Sequence, residues 1–463
     1  MVVSKKLLQS VINESAKTGC DFVEVFVEDT TNNNMAMIGG KMEQACEDHI
    51  TGVGLRLALG YKQVYGYTNK TDRKSLLKLA EDLRASFNEE PKEVTPLKSL
   101  KKGTHHKAKI LPEEVTNAAR SAVIERAYNA AKNYSEEISQ ATIRLGDTKQ
   151  EVWIAKMDGT YVYDQRVYTR LACQAVASNG DSMESGFFGP GRAKGFEVYE
   201  EEINPEEAGK EAARIAVVNL HAEECPSGEM PVIIDNGFGG VIFHEAVGHS
   251  LEATSVAWNS SVFCGKLNEK VAHSCVTAID DGTIEGDWGS ANYDDEGHKQ
   301  KKRVLIKNGK LVSYMVDEIN GRKMGVESTG SGRRESYKYA PTSRMSNTYI
   351  AKGKSTLEEM LATMEYGLYC RSMGGGSVNP ATGDFNFAVT EAYLVKNGKI
   401  DHAVKGASLI GNGKDVLSKI DMVGNNLKLA QGRCGSQSGS IPTNVGQPAI
   451  RVSKITVGGR KAQ

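Results

Sequence analysis

Leu7, Leu8, Val11 and Ile12 recur at helical spacing, which predicts an amphipathic helix at the head of the chain. From Asp21 to Glu28 the pattern switches to apolar–polar alternation, the two-residue period of a strand. Residues 49–59 and 63–68 read as two more strands joined by a turn at Gly60, and Leu76, Leu79 and Leu83 mark one face of a second helix. Pro91, Pro96 and several lysines give residues 88–104 the character of a linker. Beyond Pro112, the residues Val115, Ala119, Val123 and Ala127 line one face of a long helix. Residues 138–176 read as β-hairpins with Asp158-Gly159 as a turn. A further helix is expected from Pro205, because proline suits the first turn and Glu206-Glu207 suit the positive end of the helix dipole. Helix, strands, helix thus occurs twice, the order an internal duplication would leave.

Residues 222–228, with Pro226, read as a boundary. Beyond it, two similar segments, 304–311 and 393–400, each place Asn-Gly between apolar runs and predict tight hairpins. Ser355 and Thr356 with Glu358 and Glu359 form overlapping capping boxes, so a helix is expected from there to about Gly367. The predicted class is α+β. N-terminal helix/strand domains, 1–95 and 105–222, precede a β-rich C-terminal domain, 228–463, that carries a histidine-bearing helix.

Composition narrows the functional classes. A chain of 463 residues exceeds one ordinary core, so two or three domains are expected. The 48 glycines lie mostly after residue 180, in keeping with a turn-rich β domain. A net charge of −1 supplies no overall attraction to nucleic acid or to an anionic membrane. Short basic runs such as Lys101-Lys102 and Lys301-Lys302-Arg303 read as solvated ends of loops or strands. Eight scattered cysteines, without a CxxC pair, are not a disulfide framework. The first residues lead into an amphipathic segment rather than an apolar signal core, and no run of 18 apolar residues occurs. A reducing cytoplasm is the expected location.

Chemistry concentrates in residues 232–256. A short β run, Val232-Ile-Ile-Asp235, leads through Asn236-Gly-Phe-Gly-Gly240 into a helical stretch containing His244, Glu245 and His249. The familiar HExxH metal signature puts its histidines four apart on one helix face. Here they are five apart, which on a regular helix turns the second side chain by roughly 140° from the first. Both can face one ion only if the helix is widened or ends between them, as at a π-bulge, and Gly248 would tolerate the distortion. A catalytic zinc takes three protein ligands and a water. Glu252, Cys264, His273, Cys275 and Cys434 are all candidates for the third, with Glu252 also placed to hold an imidazole from behind. Cys434 has the most suggestive context, a polar, glycine-rich loop from Gln431 to Gly439.

Arg333, Arg334 and Glu335 could grip a peptide backbone or terminus, or form a structural salt-bridge turn. The glycines at 237–240 lack the Gly-Lys-Ser/Thr ending of a phosphate loop, which argues against nucleotide binding.

The run Phe243-His-Glu-Ala-Val-Gly-His-Ser-Leu-Glu252 resembles the HExxxH helix of TldD proteins in the TldD/PmbA family. Further matches follow in order: 280–284, 289–297, 330–337, 344–348, 375–378, 391–394, 406–411 and 445–448. They cover the C-terminal half almost throughout and the N-terminal half more loosely. The resemblance implies a zinc-dependent peptidase acting on unfolded or extended peptides, with His244, His249 and Cys434 as zinc ligands and Glu245 as general base. It also implies a heterodimer with a PmbA/TldE-type subunit lacking the metal motif, a homodimer being the other arrangement. Two departures affect the loop around the cysteine. The family commonly has Cys-Gly-Lys where this chain has Cys434-Gly-Ser436, and Gly-Gln where it has Ser438-Gly439. The competing expectations are a metal-dependent hydrolase of non-peptide amides, and a non-enzymatic adaptor or modulator keeping a relict metal site.

Overall fold

The computed structural model describes residues 3–379 and 382–460, so Met1 and Val2 at the head of the first segment and the last three residues of the third lie outside the described residues. The first half of the chain runs α1 (Lys5–Ser15), β1 (Phe22–Ile38), β2 (Lys41–Leu59), β3 (Lys62–Thr68), α2 (Arg73–Arg84), α3 (Asn117–Lys132), β4 (Ile138–Lys156), β5 (Tyr161–Ser178), β6 (Met183–Phe188) and α4 (Pro205–Leu220). The helix–strands–helix order read twice from the sequence is present, yet both sets of strands form one sheet, in the order β3-β2-β1-β4-β5, with β6 paired to β5. Helices α1 and α2 cover one half of a single face through Leu8, Val11, Ile12 and Leu76. Helices α3 and α4 cover the other half through Ile124, Ala127, Ala212 and Ala216, which pack on Ile143, Leu145 and Leu171. Asn204 caps α4 through its side chain, with Pro205 in the first turn as expected.

Three sequence expectations are corrected in extent. Strand β1 does not end at Glu28 but continues through Asn32-Asn33-Asn34 to Ile38, because β2 and β4 flank it along its length and satisfy its backbone. The polar run is tolerated because Asn33 is held by Asp147 at 2.8 Å while Met35 and Met37 still face the helices. The 88–104 stretch is not a free linker. It is strapped to the β4–β5 turn by Thr95 N to Met157 O at 2.9 Å and Lys98 N to Gly159 O at 3.0 Å, and it buries Leu97. The capping box at Thr356 and Glu359 is present, but its helix stops at Ala362, and Tyr366 opens a strand paired with Lys396.

The C-terminal half is β-rich: β7 (Gly228–Ile234), β8 (Ala278–Asp281), β9 (Lys302–Lys307), α5 (Glu318–Met324), β10 (Asn347–Ile350), α6 (Leu357–Ala362), β11 (Tyr366–Val378), β12 (Asp384–Lys396), β13 (Lys399–Lys405), β14 (Ser408–Asn412), α7 (Gly413–Lys419), β15 (Lys428–Ser436), β16 (Gly439–Gln447) and β17 (Ile450–Gly458). Both Asn-Gly hairpins form with positive φ at Asn308, Gly309, Asn397 and Gly398, the geometry of type I′ turns. Strands β11, β7, β17, β14 and β12 pair in a ring, since β12 also pairs with β11. A second sheet in this half runs β9-β8-β10-β16-β15. One continuous apolar core fills the space between ring and sheet, and the 241–251 helix crosses it.

The two halves of the chain meet through buried charge. Arg56 on β2 reaches both Glu24 and Glu296, each at 2.7 Å and all fully buried, and Arg334 also pairs with Glu24. Arg166 on β5 pairs with Asp295 at 2.6 Å. At the edge of this seam Glu318 accepts from His298 at 2.9 Å and faces Lys156 at 3.9 Å. His298, with Lys156 and Arg322 adding to it, holds the Glu318 carboxyl down to about 2 against the opposing effect of burial. A depressed carboxylate contributes stability that is present above the unfolded value of 4.5 and is lost as pH falls toward 2. Glu318→Gln is therefore expected to lower the melting temperature at neutral pH and to flatten its fall on acidification below pH 4.5. Calorimetric scans of both proteins across that range check it, and parallel profiles would remove Glu318 from the pH response.

Candidate metal centre

Strand β7 ends at Ile234, and residues 236–240 turn the chain into the histidine-bearing helix. The turn fits because Gly240 has no side chain: a Cβ there would come within 2.5 Å of the Gly446 backbone on β16. Close packing on β16 thus accounts for Gly239 and Gly240, and a positive φ of 69° for Gly237. Val241–Phe243 begins an α-helix, and His244–Gly248 is a π-turn. A short 3₁₀ turn, His249–Leu251, follows, and Glu252 is extended at φ −75° and ψ 133°. The widened turn is the distortion that the five-residue histidine spacing requires. Phe243, Ala246 and Val247 anchor it in the core.

His244 and His249 consequently face the same point, their rings perpendicular at 84° with centroids 5.1 Å apart. Opposite them stands Cys434 on β15. Its Sγ lies 3.2 Å from His244 Nε2 and 3.2 Å from His249 Nε2, and the three donor atoms fall within 4.8 Å of one another. Among the described residues this is the only such group of three His, Cys, Asp or Glu donors. His244 and Cys434 are buried, and the His249 side chain is 16% exposed. The Glu252 carboxylate accepts from His249 Nδ1 at 3.1 Å, which leaves Nε2 directed inward. Glu245 sits at the open side, its side chain 31% exposed and Oε2 3.6 Å from His249 Nε2. Burial opposes ionisation of the Cys434 thiol, but the two imidazoles against it prevail and hold it well below the usual range. Burial likewise opposes charge on His249, and Glu252 and Cys434 raise it well above the ordinary imidazole range.

The donor set fits zinc. Zn–N of about 2.0–2.1 Å and Zn–S of about 2.3 Å at a tetrahedral angle put sulfur and nitrogen roughly 3.5 Å apart. The observed S–N separations are slightly shorter, and the thiolate is the form that ligates. Glu252 supplies the carboxylate that commonly orients a ligating histidine. The remaining nitrogen of His244, Nδ1, is buried without a hydrogen-bond partner. Of the other third-donor candidates, Cys264 Sγ donates to Val256 O, while His273 and Cys275 contact each other at 3.0 Å away from the group.

Cys434 is held in place by a residue that periodicity and spacing did not single out. Arg344 is fully buried and donates to Ser438 Oγ at 2.9 Å, Gly439 O at 3.0 Å and the Cys434 carbonyl. It clamps the β15–β16 ribbon just where Ser438-Gly439 departs from the family pattern. Its presence in the Arg344-Met-Ser-Asn-Thr348 match was the only sequence signal. From the Arg333-Arg334-Glu335 cluster, Glu335 receives the Ser440 N–H at 2.7 Å and so pins the same ribbon. Arg333 donates to Met345 O at 2.7 Å and Pro442 O at 2.8 Å, and Arg334 turns inward to Glu24. All three line a polar cavity of about 280 Å³ between the ribbon and the N-terminal sheet.

Comparison with known proteins agrees with this architecture along the whole chain. Residues 227–459 match the PmbA/TldA metallopeptidase C-terminal domain, 110–220 the central domain and 23–87 domain 1. The chain belongs to the PmbA/TldD family. A Haemophilus influenzae protein named metalloprotease TldD homolog is 35% identical over 99% of this chain and 97% of its own length. A Methanocaldococcus jannaschii metalloprotease is 32% identical over 93% and 96%. A Saccharolobus solfataricus protein named zinc metalloprotease TldD homolog is 32% identical over 50% of this chain and 52% of its own. Among solved structures, a Thermotoga maritima protein described as a candidate modulator of a DNA gyrase has a TM-score of 0.80 at 22% identity, covering 98% of this chain and 100% of that one. TldE from Thermococcus kodakarensis has a TM-score of 0.76 at 18% identity, covering 98% and 100%. These last two likenesses concern the fold alone. No helix among the described residues is long and apolar enough to cross a membrane.

The carboxylate behind His249 gives a direct test. Glu252→Gln is expected to weaken zinc binding by about 10–100-fold, measured by calorimetric titration of protein stripped with a chelator. Unchanged affinity would show that Glu252 does not position the imidazole.

Proposed function

We propose that this chain is the metal-bearing subunit of a zinc-dependent peptidase that hydrolyses unfolded or extended peptides. The observation that carries the reading is the convergence of His244, His249 and Cys434 on one point with the Glu245 carboxylate beside it. His244 Nε2, His249 Nε2 and Cys434 Sγ would hold the ion. When bound there, zinc supplies Lewis acidity, acidifying a water and polarising a carbonyl. The chain's own residues supply the rest. Glu245 Oε2 receives a proton from the attacking water and returns it to the leaving amine nitrogen, the role of a general base and then acid. Glu252 keeps His249 in the tautomer protonated on Nδ1, which frees Nε2 to ligate. Arg344 and Glu335 fix the ribbon, so that Cys434 is held from a strand rather than from a mobile loop.

A main-chain mode of recognition suits extended substrates. Strand edges beside the site would pair with the peptide backbone and leave its side-chain sequence largely free. Arg333, Arg334 and Glu335 would contribute to substrate contacts through the cavity they line. The assembly we favour is a heterodimer with a PmbA/TldE-type subunit, with a homodimer as the other form, working in the cytoplasm. Partnership with TldE draws support from family membership and from the fold shared with the Thermococcus protein.

Elemental analysis of the purified wild type, Cys434→Ala and Cys264→Ala proteins is the first test. About one zinc per chain is expected, lost with Cys434→Ala and kept with Cys264→Ala. Absence of zinc from the wild type would favour a modulator with a relict site. Glu245→Gln should keep the zinc and lower cleavage of a denatured protein such as labelled casein by about 10²–10⁴-fold. Full turnover by that variant would refute the role of Glu245. Hydrolysis of simple amides, with none of peptides, would point to the non-peptide hydrolase.

A further inference from the structure

The face of the N-terminal sheet opposite its helices is only half covered. At one end Phe26, Val152, Ile154 and Val162 pack beneath Tyr293 and Tyr337 of the C-terminal half. Further along, the same face carries Thr30, Asn32 and Asn34 on β1, aligned with Gln150, Thr148 and Gly146 on β4 and Arg166, Tyr168 and Arg170 on β5. This polar stretch floors the cavity of about 280 Å³ and a second one of about 240 Å³ that reaches Arg144. The wall is the β15–β16 ribbon, where Arg433 immediately precedes Cys434. Successive side chains of a strand point to opposite faces, so cavity and metal centre lie on the two sides of one ribbon.

The charges along this groove are unbalanced. Arg144, Arg170, Arg333, Arg433 and Lys338 line it, and none forms an ion pair among the described residues. Arg333 is buried and its guanidinium donates to two uncharged acceptors, the carbonyl oxygens of Met345 and Pro442. Arg170 stacks over Trp288 with its guanidinium 5.8 Å from the ring, and burial and nearby Arg433 both press it toward losing its charge. The acids present are already engaged. Asp295 pairs with Arg166, while Asp48 accepts from Asn32, Glu335 from the Ser440 N–H and Glu28 from Thr30, Gln150 and the Tyr337 N–H, so three acids without a cationic partner face five cations. Unpaired cations in a concave, partly desolvated trough attract anionic groups. The floor of Asn, Thr and Gln offers hydrogen bonds to a peptide chain. Tyr168 and Trp288 are buried and pack on each other, leaving no open aromatic platform for bases.

We infer that this groove is an exosite for an acidic stretch of the peptide substrate, set on the opposite side of the cysteine ribbon from the metal centre. The inference rests on the peptidase reading above and names the substrate class as acidic peptides. Its test is independent of zinc. Full-length protein as purified is titrated against fluorescein-labelled hexaglutamate, hexalysine and a neutral Gly/Ser hexapeptide, followed by fluorescence anisotropy at low and high ionic strength. Hexaglutamate is expected to bind at least about tenfold tighter than hexalysine, with the preference fading in salt. Arg144 and Lys338 are both exposed, so Arg144→Gln with Lys338→Gln should leave the melting temperature unchanged. That double variant should weaken hexaglutamate at least about fivefold and spare the neutral peptide. Equal binding of the three peptides, or a double variant that binds like the wild type, would overturn the exosite. So would tighter binding of a single-stranded oligonucleotide, or conversion of a dimer to monomers by the double variant in sedimentation, since a second copy would then cover this face. Zinc content and casein cleavage, measured on the same preparations, separate the two ideas. A zinc-bearing protease without charge preference loses only the exosite, and a hexaglutamate binder without zinc loses only the peptidase.

Discussion

Glu24 is shared by two buried arginines, Arg56 from its own sheet and Arg334 from the C-terminal half, and Arg56 reaches on to Glu296. Charges taken this far out of water are tolerable only with every partner present, and removing one partner of such a pair typically costs about 3–5 kcal/mol. Apolar packing gives each half its core and also joins the two where Tyr293 and Tyr337 cover Phe26, and beside that contact this seam of charge links them. The strap from Gly332 to Tyr337 hangs from it. Arg334 N donates to Asp295 and Tyr337 N to Glu28, while Glu335 in between grips the ribbon that carries Cys434. The position of the sulfur thus depends, through a few hydrogen bonds, on an ion network in another part of the molecule.

That dependence explains how the site divides between rigid and adjustable parts. The histidines come from a widened turn whose apolar residues are fixed in the main core. Cysteine comes from an edge strand that has only one strand neighbour; Arg344 takes up its Cys434 carbonyl, and Glu335 holds the neighbouring strand at Ser440. Glu245 lies on the exposed side of the turn, away from that apolar anchor.

Local features were well legible in the sequence. The Asn-Gly hairpins, the Thr356–Glu359 capping box and the Pro205 helix start each express a backbone preference over a few residues, and each appears where the pattern put it. The five-residue histidine spacing called for a helix that is widened or ends between the two rings, and the π-turn is the first of these. Features governed by distant partners were not legible. Nothing local in Asn32-Asn33-Asn34 announces a central strand, since its stability comes from β2 and β4 on either side. Likewise no spacing rule selects Cys434 from eight cysteines, and Arg344 acquires its meaning only when the ribbon folds over it. For those residues the family likeness carried information that short-range chemistry does not contain.

The two nitrogens and the sulfur belong to strands and turns that are neighbours only in the folded chain, with His249 and Cys434 separated by 185 positions. An ion gripping all three would act as a staple across a very long loop. In chain-entropy terms, pinning such a loop removes several kcal/mol of freedom from the unfolded ensemble, and the amount grows only with the logarithm of loop length. Metal capture and folding would then be one coupled equilibrium, so that scarcity of the ion would first be felt as a looser, shorter-lived protein.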